Sequence, residues 1–277
     1  MAEAVATGVA RIQEAFDTAR DQGRAALMPY MMGGFPDMET SIAVADAYAA
    51  AGADLVELGV PFSDPLADGP VIHAAGTRAL AAGATLEGVL EICERLAARV
   101  PVVPMVYANM ALARGASEFA RVLAGAGAAG AIIPDLPLEE GDELRAALSD
   151  AGLAPVPLVA PTTPAERRRR ICEGATGFVY LVSDTRVTGE RDELPAGLAD
   201  LVRAVREDSA APVAVGFGIG TEEQAAAVGR VADGVIVGSR LVRAVDEADG
   251  PAGAAAAVGE FIRDARGAMA NAGGPLG

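Results

Sequence analysis

The stretch Leu86-Glu87-Gly88-Val89-Leu90-Glu91-Ile92-Cys93-Glu94-Arg95-Leu96-Ala97-Ala98-Arg99-Val100-Pro101-Val102-Val103-Pro104-Met105-Val106-Tyr107 holds both rhythms from which the fold is read. Leu86, Val89, Leu90 and Cys93 fall at i, i+3, i+4 and i+7, the spacing that puts apolar side chains on one face of an α-helix. Val102 to Tyr107 is then a short, nearly unbroken apolar run, as a strand buried on both faces requires. The helical spacing returns in Phe119, Val122, Leu123 and Ala126, in Leu144, Ala147, Leu148 and Ala151, and in Leu198, Leu201, Val202 and Val205. Gly127 and Gly152 stand just past two of these stripes, where a left-handed C-cap is wanted. Further strand candidates are Leu27–Met32, Asp54–Val60, Ala131–Pro134, Pro155–Ala160, Gly177–Val182, Val213–Gly216 and Gly234–Gly238, which with Val102–Tyr107 make eight.

Eight buried strands alternating with helices predict a single closed (β/α)8 TIM barrel over residues 1–277 rather than an open doubly wound sheet, which has fewer strands. Gly8 to Gly23 reads as an extra N-terminal helix ahead of the first strand. The Ala/Gly-rich segment from Asp249 onward reads as a closing helix with a frayed end. No composition break or long linker points to a second domain.

Charge narrows the chemistry. The chain carries 22 basic and 38 acidic residues, a formal charge of −16, which disfavours a nucleic-acid surface. Every one of the 22 cations is arginine. Without lysine there is no Schiff base to a carbonyl or to pyridoxal phosphate, and no Walker A phosphate loop. His73 is the only histidine, so no multi-histidine metal site can form and no metal is expected. Cys93 and Cys172 are expected to be reduced and structural, and the run Arg167–Arg170 to be a solvated helix face. Gly, Pro or a charge interrupts each apolar stretch before the roughly 18 residues that span a bilayer, so no membrane segment is expected. No secretory signal is visible at the amino terminus, which makes the cytoplasm the expected location. What remains is chemistry on carboxylates.

In such barrels the active site lies at the carboxyl ends of the strands. Glu57 falls in the second strand, and alternation puts Leu55, Glu57 and Gly59 on one face, which aims Glu57 inward if that face lines the barrel. Burial would raise its pKa and let one carboxyl both give and take a proton near neutrality. The competing reading is a glutamate paired with arginine. Asp64 and Asp68 follow in a loop rich in proline and glycine. Either aspartate can cap a turn, and either can face Glu57 across a pocket. After the seventh strand comes Gly216-Phe217-Gly218-Ile219-Gly220, and after the eighth Gly238-Ser239, each opening a short helix. Such loops serve tight turns, but two of them in these positions point to a phosphate held by backbone amides and the Ser239 hydroxyl. The long Ser183–Pro195 loop, with Thr188 and Gly189, has the make-up of a lid. Tyr107, Asn109 and Tyr180 stand at strand ends where a pocket would be lined.

The run Glu57-Leu58-Gly59-Val60-Pro61-Phe62-Ser63-Asp64-Pro65-Leu66-Ala67-Asp68-Gly69-Pro70 resembles the signature of the tryptophan synthase alpha chain family. Tyr107-Ala108-Asn109, Pro134-Asp135-Leu136-Pro137, Val187-Thr188-Gly189, Gly216-Phe217-Gly218-Ile219 and Gly238-Ser239 extend the likeness over nearly the whole chain. The resemblance implies retro-aldol cleavage of indole-3-glycerol phosphate to indole and glyceraldehyde 3-phosphate. Glu57 matches the family's catalytic glutamate, and Asp68 the aspartate that binds the indole N–H. Gly189, Phe217, Gly218, Gly238 and Ser239 match positions around the phosphate, and Tyr180 the tyrosine beside the glycerol phosphate. By the same likeness Thr188 closes the lid over Asp68. The chain itself takes no cofactor, and pyridoxal phosphate belongs to a separate beta subunit in an αββα assembly. A stand-alone indole-3-glycerol phosphate lyase and a noncatalytic regulatory barrel are the alternatives, the second opposed by the intact Glu57 and Asp68. The chain departs from many relatives at Ser183-Asp184-Thr185-Arg186, where Ser-Arg-Ser-Gly is common, and at Met32 and Phe35, where Thr and Asp are more frequent.

Overall fold

The computed structural model describes residues 6–182, 197–216 and 218–275. Among these, nine parallel strands form one sheet: β1 (Ala26–Met32), β2 (Val56–Gly59), β3 (Val102–Met105), β4 (Gly130–Ile132), β5 (Ala154–Val156), β6 (Leu158–Val159), β7 (Val179–Val182), β8 (Val213–Gly216) and β9 (Gly234–Val237). The order is β5-β4-β3-β2-β1-β9-β8-β7-β6. Its two ends are consecutive in sequence, so the sheet closes on itself as a barrel.

The ninth strand is a correction to the count of eight. Pro155–Ala160 was expected as one strand and is interrupted at Pro157, which has no N–H to give a ladder. The half before it pairs with β4 and the half after it with β7, while the Pro157 carbonyl accepts from Tyr180 N at 2.9 Å. The break is thus the seam where the barrel shuts.

Period-2 alternation divides the strands into an inner and an outer face. Ala26, Met28, Leu55, Val103, Ile132, Ala214 and Ile236 form the inner core with Phe178. The helix Gly8–Asp21, capped by Thr7 accepting from Ala10 N, places Ile12, Phe16 and Ala19 in that core, with Phe16 5.9 Å from the Phe178 ring. It therefore stoppers the amino-terminal end of the barrel. Outward residues such as Leu27, Leu58, Val102 and Val215 meet the helical shell. The closing helix Gly250–Ala272 buries Val258, Phe261, Ile262 and Met269 against that shell. Gly127 and Gly152 take φ of 73° and 76°, the left-handed conformation expected after their helices. Cys93 and Cys172 are free and buried. All four arginines of the 167–170 run make ion pairs, with Glu139 or Asp208. Met32 and Phe35 are buried, Phe35 beneath the Arg78 guanidinium at 5.0 Å. No helix among the described residues is long and apolar enough to cross a membrane.

At the stoppered end Asp54, just before β2, accepts two bonds from Arg24 at 2.6 and 2.8 Å and one from Leu27 N at 2.7 Å. Arg24 is only 2% exposed and is further held by Gln22 and the Ala25 carbonyl. Removing one partner of such a pair strands the other charge away from water. Arg24→Ala is therefore expected to lower unfolding free energy by about 3–5 kcal/mol in urea titration. A loss below about 1 kcal/mol, the scale of an exposed pair, would mean that water reaches this pair in solution.

Candidate active site

A cavity of about 560 Å³ opens at the carboxyl ends of the strands. Its walls include Glu57, Asp68, Tyr180, Gly218, Gly238 and Ser239, so six residues singled out from the sequence meet in one place. Thr188, Gly189 and Phe217 lie outside the described residues, as do Asp184 and Arg186. Asn109 is exposed and does not line the cavity.

Glu57 points inward and is 1% exposed. Neither carboxyl oxygen has a hydrogen-bond partner, and Glu57 makes no ion pair with an arginine, among the described residues, which goes against the paired-glutamate reading. Burial pushes its pKa up to about 8, the Asp68 charge adds to the rise, and the nearby Tyr180 hydroxyl opposes it. Burial thus favours the neutral acid.

Between the two aspartates the geometry selects Asp68. Asp64 is exposed, whereas Asp68 lines the cavity and accepts from the Tyr107 hydroxyl at 2.9 Å. That hydroxyl also accepts from Ala67 N at 3.1 Å, and the Tyr107 ring stacks on Phe62 with centroids 5.1 Å apart. The phenol therefore fixes both the loop and the carboxylate. Burial raises the pKa of Asp68, while the Tyr107 hydrogen bond and the charge of His73 pull the other way by favouring its ionised form.

Two glycines make room for tyrosines beside the acids. A Cβ on Gly59 would lie 2.1 Å from the Tyr30 hydroxyl, and one on Gly216 would lie 2.6 Å from that of Tyr180. Tyr30 escaped the sequence reading, yet the signal was available: it shares the inward face of β1 with Ala26 and Met28. In the structure it sits in register with Glu57.

Two helix starts form another part of the wall. Thr221 caps the helix Glu222–Gly229 in a capping box with Gln224, whose side chain also accepts from Gly220 N at 2.7 Å. The Gly220 amide is therefore committed to the fold, although Gly216, Gly218 and Gly220 all line the cavity. The helix Ser239–Asp246 begins at Gly238, whose carbonyl accepts from Leu241 N. The N–H groups of Ser239 and Arg240 make no hydrogen bond with a described residue and leave donors of the kind that an anion can accept from at a helix start. Arg240 and Arg243 also line the cavity and were not foreseen. A second cavity, about 390 Å³, lies between β4–β6 and the helices Asp142–Asp150 and Ala165–Cys172; its only acid is Glu173, so it offers no paired carboxylates. No group of three metal-ligating side chains occurs among the described residues.

Comparison with known proteins agrees with this geometry. The family model described as tryptophan synthase alpha chain matches residues 16–270. A tryptophan synthase alpha chain of Carboxydothermus hydrogenoformans is 50% identical over 240 residues, which is 86% of this chain and 90% of the relative. That of Roseiflexus castenholzii is 46% identical, over 94% of this chain and 100% of its own. Among solved structures, tryptophan synthase of Mycobacterium tuberculosis superposes with a TM-score of 0.87 at 37% identity, covering 94% of this chain and 98% of that one. The alpha subunit of Legionella pneumophila gives 0.85 at 35%, with the same coverage.

The raised pKa of Glu57 sets a sign for stability against pH. Between about 4.5 and 8 the unfolded chain releases this proton and the folded chain keeps it. Folding stability therefore falls as pH rises through that window, by at most about 1.4 kcal/mol per pH unit from this group. In thermal denaturation at pH 5, 6.5 and 8, Glu57→Gln is expected to gain on the parent chain at each step. A constant difference across that range would show that the carboxyl titrates as if in water.

Proposed function

The chain belongs to the tryptophan synthase alpha chain family, and from that premise we propose how its cavity carries out the reaction. That reaction is the lyase cleavage of indole-3-glycerol phosphate to indole and glyceraldehyde 3-phosphate. The assignment of roles rests on one observation: a carboxyl kept neutral by burial shares a cavity with a second, hydrogen-bonded carboxylate.

Scission of the bond between indole C3 and the glycerol chain needs a proton delivered to C3. The neutral Glu57 carboxyl is the donor. As C3 is protonated the indole N1–H becomes acidic, and Asp68, aligned by Tyr107, accepts its hydrogen bond. Glu57, now a carboxylate, takes the proton of the side-chain hydroxyl next to the breaking bond. The bond electrons return to the indole ring as the aldehyde forms, and Glu57 ends as it began. The phosphate is held by backbone N–H groups around Gly218 and Gly238 and by Ser239, with Tyr180 beside the glycerol chain. Thr188, Gly189 and Phe217 take their roles, lid closure and further phosphate contact, from the family resemblance.

The same reading gives the chain a separate beta subunit that carries pyridoxal phosphate and receives the indole. Two leucines at the mouth support such a partner. Leu66 in the loop after β2 is 83% exposed, and Leu112 on the helix Ala108–Arg114 after β3 is 59% exposed. The Ala67 to Tyr107 hydrogen bond ties that loop to the start of that helix, so the cavity rim offers apolar surface to cover.

Incubation with indole-3-glycerol phosphate, scored for indole, tests the chemistry. Glu57→Gln is expected to abolish indole release while leaving glycerol 3-phosphate binding nearly intact, and substantial residual turnover would refute the acid and base assignment. For Asp68→Asn a loss of about two orders of magnitude is expected; a smaller than tenfold loss would remove it from the catalytic set. The indole rate is also expected to rise strongly when a beta chain is added. Equal rates with and without it would instead mark a stand-alone lyase.

A further inference from the structure

Backbone amides orient a phosphate but supply no net positive charge, and this cavity already holds two acids in a chain of charge −16. The cations in its described wall are Arg240 and Arg243. Both stand on the helix whose first turn forms the phosphate end. Arg243 is four residues beyond Ser239, and so on the same helix face. Helical side chains lean toward the amino terminus of their helix, which carries the Arg243 side chain back toward Ser239.

Arg243 is also uncommitted. It makes no ion pair with a described residue, and Asp246, the acid one turn on, is bound to Arg78. Arg240 differs, because its guanidinium lies 5.3 Å over the Phe261 ring and is anchored on the closing helix. We infer that Arg243 is the counter-charge for the substrate phosphate, a binding residue that sets the preference for a phosphorylated glycerol chain. The inference rests on the lyase reading above and adds to it a side-chain cation beside the amides and the serine hydroxyl. A guanidinium suits this role because its N–H fork matches phosphate oxygens and stays charged at any working pH.

The test compares the full-length chain with Arg243→Gln, Arg243→Lys and Arg203→Gln. Arg203 is an exposed arginine paired with Asp200 on the outer helix Leu198–Asp208, so its loss changes net charge equally without touching the cavity. Calorimetric titration with glycerol 3-phosphate and steady-state kinetics with indole-3-glycerol phosphate are run at low and high salt. Arg243→Gln is expected to weaken glycerol 3-phosphate binding and raise KM about tenfold, the scale of one charged hydrogen bond. kcat should change far less, the salt dependence of binding should flatten, and lysine should restore most of the loss. Unchanged affinity in Arg243→Gln, or an equal loss in Arg203→Gln, overturns the inference. Arginine-dependent binding in a chain that releases no indole would support it and sink the lyase reading alone; a parent chain that binds no glycerol 3-phosphate overturns both.

Discussion

A buried acid in the cavity wall of a parallel barrel, without a hydrogen-bond partner within bonding geometry among the described residues, is the constraint on which the upper layer of this protein depends. A buried polar group left unsatisfied costs on the order of 1–3 kcal/mol, and a buried charge costs more. The cheaper outcome for Glu57 is to stay protonated, and the same desolvation that makes it a poor contributor to stability suits it to the proposed role of proton donor near neutrality. An apolar residue there would pack better and do nothing. Around the acid, Gly59 and Gly216 give up their side chains so that the phenols of Tyr30 and Tyr180 fit. Asp68 receives from Tyr107 a hydrogen bond that favours its ionised form, while burial pushes its pKa up, so the two acids sit in different surroundings.

Much of this is written locally in the chain. Buried strands between amphipathic helices announce a barrel, and the shared face of Leu55, Glu57 and Gly59 already turns the glutamate inward. What escapes is whatever depends on partners distant in sequence. Asp54–Val60 shortens to Val56–Gly59 in part because Asp54 is drawn to Arg24 beneath the barrel. The choice of Asp68 over Asp64 is made by a tyrosine 39 residues away. The seam at Pro157 is hidden for another reason: hydrophobicity registers side chains, and what matters there is a missing backbone donor. Arg243 is not legible because glycines and the serine at a strand end mark a helix start, whereas a side chain one helical turn further reaches the cavity only through the helix's placement.

Charge is spent unevenly over the molecule. The four-arginine run is consumed by Glu139 and Asp208, Arg24 is locked to Asp54, and Arg78 holds Asp246. With so many cations tied to acids, a chain of this charge repels an anionic substrate over most of its surface. On the proposed reading, helix starts and a guanidinium without an ion pair among the described residues would give the phosphate a local reason to enter.

The N-terminal helix fills the base of the barrel with Ile12, Phe16 and Ala19, so among the described residues the cavity opens at the carboxyl ends of the strands and not through the base. On the proposed reading, substrate and both products would share that mouth, so departure is a queue rather than a through-flow. Whichever fragment lies nearer the rim has to clear before the deeper one can follow. Anything that settles over the rim would then govern both the order of exit and where the apolar fragment goes next.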